Sequence, residues 1–250
     1  MYPLWCSLWL LFHLAWVIVE IYWWETVDFT SELWPVYLTN WGYAVLLLYL
    51  VMDFLISVYV RFIINTRVVS EINWSMTWYS KTQWVLLNVN NATSVIITLA
   101  YWTLIASSKC PSLLDFHRFN LEVFFFLDTH ATSINKHGLN SVYAIINIFI
   151  TAKPINITHM WHPVLFSLIY VVFSVIYQLG FGVPPIYTVL DWSKPTTALL
   201  TSVPLVFIGV PLCHVMFFIL YRTRCVIFRK CCLKKDKAET STRHSDLQDE

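Results

Sequence analysis

Six stretches of the chain are apolar for long enough to cross a bilayer, and polar segments separate them. The hydrocarbon core is about 30 Å thick, which a helix of about 20 residues covers. The stretches are 4–24, 34–60, 84–106, 137–151, 162–179 and 197–221. The fourth is short, with a start that can be drawn as far upstream as Asp128. The second is long and contains Asp53, so its last turn is expected to leave the hydrocarbon and Asp53 to be paired or hydrated. The longest connection, 107–136, holds an apolar run at 123–127 that is too short to span. The pattern predicts an all-α, polytopic membrane bundle of about six transmembrane helices over residues 1–221. Residues 222–250 form a basic, cysteine-containing tail whose distal part, from 238, is expected to be disordered. The first stretch reads as a retained span, because no basic segment precedes it and Trp23-Trp24-Glu25 stands where a small-residue cleavage site would be needed.

Composition sharpens this picture. Apolar residues make up 58% of the 250 and charged residues 12%, against roughly 45–50% and about 25% in soluble domains. With a mean hydropathy of +0.60, a water-soluble globule is excluded, as are disordered, collagen-like and coiled-coil chains. The six cysteines are scattered, without the spacing of a disulfide framework or a zinc ribbon. Net charge is only +1, but its distribution is uneven. With six spans, twelve of the sixteen Lys and Arg residues fall on the side of the termini, eight of them in the tail. The positive-inside rule therefore places both termini in the cytosol, in the plasma membrane or an endomembrane. On that topology the sequons at Asn73, Asn91 and Asn156 are expected to stay unmodified.

Several spans carry polar residues at helical spacing. The third reads Asn88, Asn91, Ser94, Thr98, Tyr101 and the fifth Ser167, Tyr170, Ser174, Tyr177. The fourth reads His130, Ser133, His137, Asn140, Ala144, Asn147, Thr151. Residues three and four apart share a face, and a polar face must turn inward because lipid offers no partners. Interhelical hydrogen bonding accounts for Asn, Ser and Thr. Histidine is costlier in a membrane and marks a candidate site. Thr39 opens the second span and His137 and Asn140 open the fourth, and the alternation of spans puts all three at one depth on one side. The Thr39 hydroxyl is therefore expected within direct or one-water reach of His137 or Asn140. A hydroxyl beside an imidazole is the minimum for nucleophilic hydrolysis, and an interhelical tie is the competing reading. His13 and Glu20, two turns apart, are expected to form interior hydrogen bonds. His159 and His162 have helical ligand spacing but sit at the opposite mouth before Pro163. A three-histidine zinc centre would need His130, His137 and a third ligand such as His117. No metal or cofactor is expected.

In the tail, bases interleave with Cys225, Cys231 and Cys232. Such a segment attracts anionic lipid, and the juxtamembrane thiols are candidates for palmitoylation.

The runs Tyr37-Leu-Thr-Asn-Trp-Gly42 and His137-Gly-Leu-Asn140-Ser141, with Phe173-Ser-Val-Ile-Tyr177, Ile186-Tyr187 and Asp191-Trp192, resemble the rolling stone family of animal membrane proteins over nearly the whole chain. The resemblance implies a non-enzymatic role at the membrane in cell association or myoblast-type fusion. Its implied partners are membrane lipids and other membrane proteins, not nucleic acid. That family is in turn distantly similar to the androgen-induced family of intramembrane threonine hydrolases, which split fatty acid esters of hydroxy fatty acids. By that similarity Thr39 matches the nucleophile, but Asn140 stands where the hydrolases have their catalytic His, and His137 lies one turn earlier. A neutral amide cannot serve as a general base. The hydrolase alternative therefore assigns Thr39 as nucleophile, His137 as base and Asn140 as an orienting or oxyanion-stabilising amide.

Overall fold

A computed structural model describes residues 2–26, 31–63, 77–106, 135–151 and 153–246. Its elements are helical. α1 (Tyr2–Thr26) is followed by a short 3-10 turn, Ser31–Val36. α2 (Leu38–Val58) and α3 (Trp78–Ala100) each end in a π-helical segment, Tyr59–Ile63 and Tyr101–Ala106. α4 (Asn140–Ile150) is preceded by another, Asn135–Leu139. A 3-10 turn, Ile157–Met160, leads into α5 (Trp161–Val175), which ends in the π segment Ile176–Gly180. The sixth rod consists of α6 (Pro195–Pro204), a π segment Leu205–Gly209 and α7 (Val210–Asp246). Five rods are long and apolar enough to cross a membrane, and the fourth, His137–Ile150, is shorter. All six expected spans correspond to helices.

The rods alternate in direction. Tyr2 and Thr151 meet at one end of the bundle, where Asp53, Gln83 and Arg224 also converge. Thr39, Tyr101, His137 and Tyr187 lie at the other. The start of α1 and residue 224 of α7 are therefore at the same end, which we call the Asp53 end.

α3 is the central helix. More of it is buried than of any other long rod, although it is the least apolar of the five. The two facts have one cause: Asn88, Asn90, Asn91, Thr93 and Ser94 are all buried, and a helix this polar is tolerated in a membrane only where protein surrounds it. On α1 the buried positions Cys6, His13 and Glu20 recur every seven residues and make a narrow seam toward α2. Leu4, Leu8 and Leu11 face outward. Small residues set the closest approaches, as is usual between membrane helices. A Cβ on Gly42 would lie 2.7 Å from Ile97 Cδ1, and one on Gly209 3.0 Å from Ile96 Cδ1. Between these contacts Tyr43, Leu46, Leu50, Leu87 and Tyr143 form one buried cluster, and Ala92, Ile96, Val206, Val210 and Cys213 another.

α7 continues to Asp246, through residues 238–246 for which composition predicts disorder. The stretch after Pro211 contains no Gly or Pro, and the tail is rich in Lys and Arg, which lose little on entering a helix. Cys225 is half-buried and Cys231 exposed, and both thiols are free; the side chain of Cys232 lies outside the described residues.

Candidate functional site

At the Thr39 end the site is built from the start of α2. Trp34 and Pro35 stitch this start to the preceding turn through their carbonyls, which accept from Asn40 Nδ2 and Trp41 Nε1, each at 2.6 Å. Tyr170 of α5 donates to the Val36 carbonyl at 2.9 Å. The free amide of Leu38 in the first turn of α2 donates to the Tyr187 hydroxyl at 3.2 Å. Helix starts leave such amides without intrahelical acceptors, and a phenol from the connection after α5 fills the role here. The Thr39 side chain, itself buried, neighbours the same phenol, as does Tyr170. Burial pushes the Tyr187 phenol above its ordinary pKa, so it is a neutral hydroxyl at physiological pH.

His137 and Asn140 are also buried. The His137 imidazole lies flat on the Tyr101 ring, with centroids 3.7 Å apart and planes 4° from parallel. Next to Asn140, the Ser141 and Thr98 hydroxyls are 2.7 Å apart and tie α4 to α3. The His13 ring fixes the relative height of α2 and α4, because it sits 5.5 Å from Tyr43 and 6.1 Å from Tyr143. Thr39 and Asn140, about one turn before those tyrosines, are therefore brought to one level. Thr39 stands beside the Tyr187 phenol, and His137 stacks on Tyr101. His117 and His130 lie outside the described residues, among which no group of three or more His, Cys, Asp or Glu is arranged to hold a metal ion.

The connection from Gly180 to Pro195 packs against this site rather than looping away. Gln178 donates to Asp191 Oδ1 and accepts from the Trp192 amide, both at 2.7 Å. The Trp192 indole donates to Ser174 Oγ at 3.0 Å. Hydrogen bonds from Ser193 and Gln178 hold the Asp191 carboxyl below the usual carboxylate range. Gly182, with φ of 64°, supplies the left-handed turn that folds the connection back, a conformation open to Gly at little cost.

A second polar centre lies at the Asp53 end. Asp53, 1% exposed, accepts from Tyr2 at 2.7 Å, Tyr49 at 3.0 Å and Gln83 at 2.9 Å. Lys153 reaches in from the link after α4 and pairs with the same carboxylate. Its ammonium also donates to Tyr2 and Tyr49 at 2.9 and 3.1 Å. Asn147 donates to Tyr49 and accepts from the Trp5 indole. Burial lowers the Lys153 pKa and the Asp53 charge opposes that shift. The sequence places Asp53 as paired or hydrated but does not name Lys153. The signal available was topological, since the end of the second span and the fourth loop share a side. His13 and Glu20 take separate partners, the Tyr43 hydroxyl at 3.0 Å and the Trp34 indole at 2.7 Å. His159 packs edge-on against Trp84, with centroids 4.2 Å apart.

Apolar rods with outward leucines, a polar central helix and a buried ion pair define a multi-pass α-helical membrane protein. The family described as protein rolling stone matches residues 1–236, and the chain belongs to it. Protein rolling stone of Drosophila melanogaster is similar to this chain, with 26% identity over 232 residues that cover 89% of this chain and 78% of the fly protein. No solved structure matches the chain.

Proposed function

We propose that the protein is non-enzymatic and acts at the membrane in cell association or cell–cell fusion. The observation that supports this most is that Thr39 neighbours Tyr187, whose hydroxyl accepts from the Leu38 amide at 3.2 Å. A neutral phenol is no base at physiological pH, so the contact ties the start of α2 to the connection before α6 and does not activate a nucleophile. Asn140, where a hydrolase of the similar family carries its base, points the same way. Membership of the rolling stone family supports the cell-surface reading. The test is a mixing assay with two dye-labelled cell populations. Expression at measured surface abundance is expected to raise the fraction of two-colour contacts or fused cells. An index equal to that of untransfected cells contradicts the proposal.

The second reading makes Thr39, His137 and Asn140 a lipid-ester hydrolase site. One observation favours it: all three residues are buried.

Both termini are proposed to face the cytosol, on the weight of Lys and Arg at that end. Epitope tags at either terminus are expected to need permeabilised cells for antibody access. Staining of a C-terminal tag on intact cells reverses the assignment.

A further inference from the structure

A groove of about 780 Å³ runs along the outer face of α1 at the Asp53 end. Leu4, Trp5, Leu8 and Leu11 of α1 and Ile150 of α4 line it, with Tyr2 at its polar end. Leu4, Leu8 and Leu11 recur at the spacing of one helix face and are 74%, 64% and 66% exposed. The groove therefore lies on the surface of a membrane-spanning helix, where the molecules in reach are lipids.

The groove ends in charge. Tyr2 is hydrogen-bonded to Asp53 and Lys153. The Arg224 guanidinium donates to the carbonyls of Ile148 and Thr151, on either side of Ile150. One carboxylate against two cations leaves this mouth with a net positive charge. Arg224 is only partly buried, and a guanidinium has five N–H donors, more than these two carbonyls require. We propose that the groove seats one acyl chain of an anionic phospholipid from the leaflet at this end, its phosphate held by Arg224. A zwitterionic lipid would bring an extra ammonium to a mouth that is already positive.

The test is native mass spectrometry of the full-length protein extracted from vesicles of equal phosphatidylcholine and phosphatidylglycerol content. Retained phosphatidylglycerol is expected to exceed phosphatidylcholine about fivefold, the effect of one net basic charge at a membrane surface. Leu8→Trp fills the groove from an exposed position and is expected to lower phosphatidylglycerol retention about tenfold, with the thermal midpoint in phosphatidylcholine unchanged. If that midpoint falls, Leu11→Trp on the same face carries the comparison. Soluble glycerol phosphate is expected not to displace the lipid. Equal retention of the two lipids overturns the anionic preference. Undiminished retention by the groove-filling variant, or displacement by glycerol phosphate alone, overturns the groove.

Discussion

Lys153→Met with Asp53 left in place is expected to destabilise the protein by about 3–5 kcal/mol, the range for stripping one partner from a buried ion pair. Asp53 is 1% exposed and its hydrogen bonds come from α1, α2 and α3. Its carboxylate would have to stay ionised without a counter-charge, or take up a proton and lose acceptor capacity toward Tyr2, Tyr49 and Gln83. Three helices and the link after α4 would loosen together. The thermal midpoint in detergent should fall by about 10 °C, with a parallel loss of protein at the membrane. The paired change Asp53→Asn with Lys153→Met removes both charges and is expected to cost clearly less, since most of the single-variant penalty is the stranded charge. Single and double variants of equal stability would show that the pair carries no such weight.

Tyr187→Phe is expected to cost about 1–3 kcal/mol, because it strands the Leu38 amide in the first turn of α2, beside Thr39. Thr39→Val should cost less, since Tyr187 keeps Leu38 and Tyr170. The informative quantity is their coupling. Residues in contact are non-additive by about 0.5 kcal/mol or more, so the double variant should be more stable than the two separate losses would sum to. Strict additivity in thermal unfolding would mean that Thr39 has its main partner elsewhere.

The rods were legible in the sequence because hydropathy reports the one solvent they all meet. The fourth helix was legible too, despite its length, because its polar stripe marks an inward face; its π-helical start at Asn135–Leu139 was not. The short motifs that carried the family resemblance turn out to be neighbours in space. Tyr37 packs edge-on against Tyr187 at 6.0 Å, the Leu38 amide donates to Tyr187, and Ser174 bonds to Trp192. What the sequence concealed were the partners. Lys153 and Asp53 are 100 residues apart, and Tyr187 and Leu38 are 149 apart. No periodicity links positions that meet only after the bundle has assembled. His13 and Glu20 illustrate the same limit: helical spacing put both on an inward face, and the choice of Tyr43 and Trp34 as partners came from α2 and the turn before it.

Thr39 is proposed to be part of a structural tie and not a nucleophile. Labelling of the full-length protein with a fluorophosphonate lipase probe, wild type beside Thr39→Ala at matched abundance, tests it most directly. An activated threonine would attack the phosphorus, displace fluoride and retain the probe covalently. Wild type and variant are expected to label equally, at the background set by the rest of the chain. Labelling of the wild type that Thr39→Ala abolishes would contradict it and establish Thr39 as the nucleophile of a hydrolase.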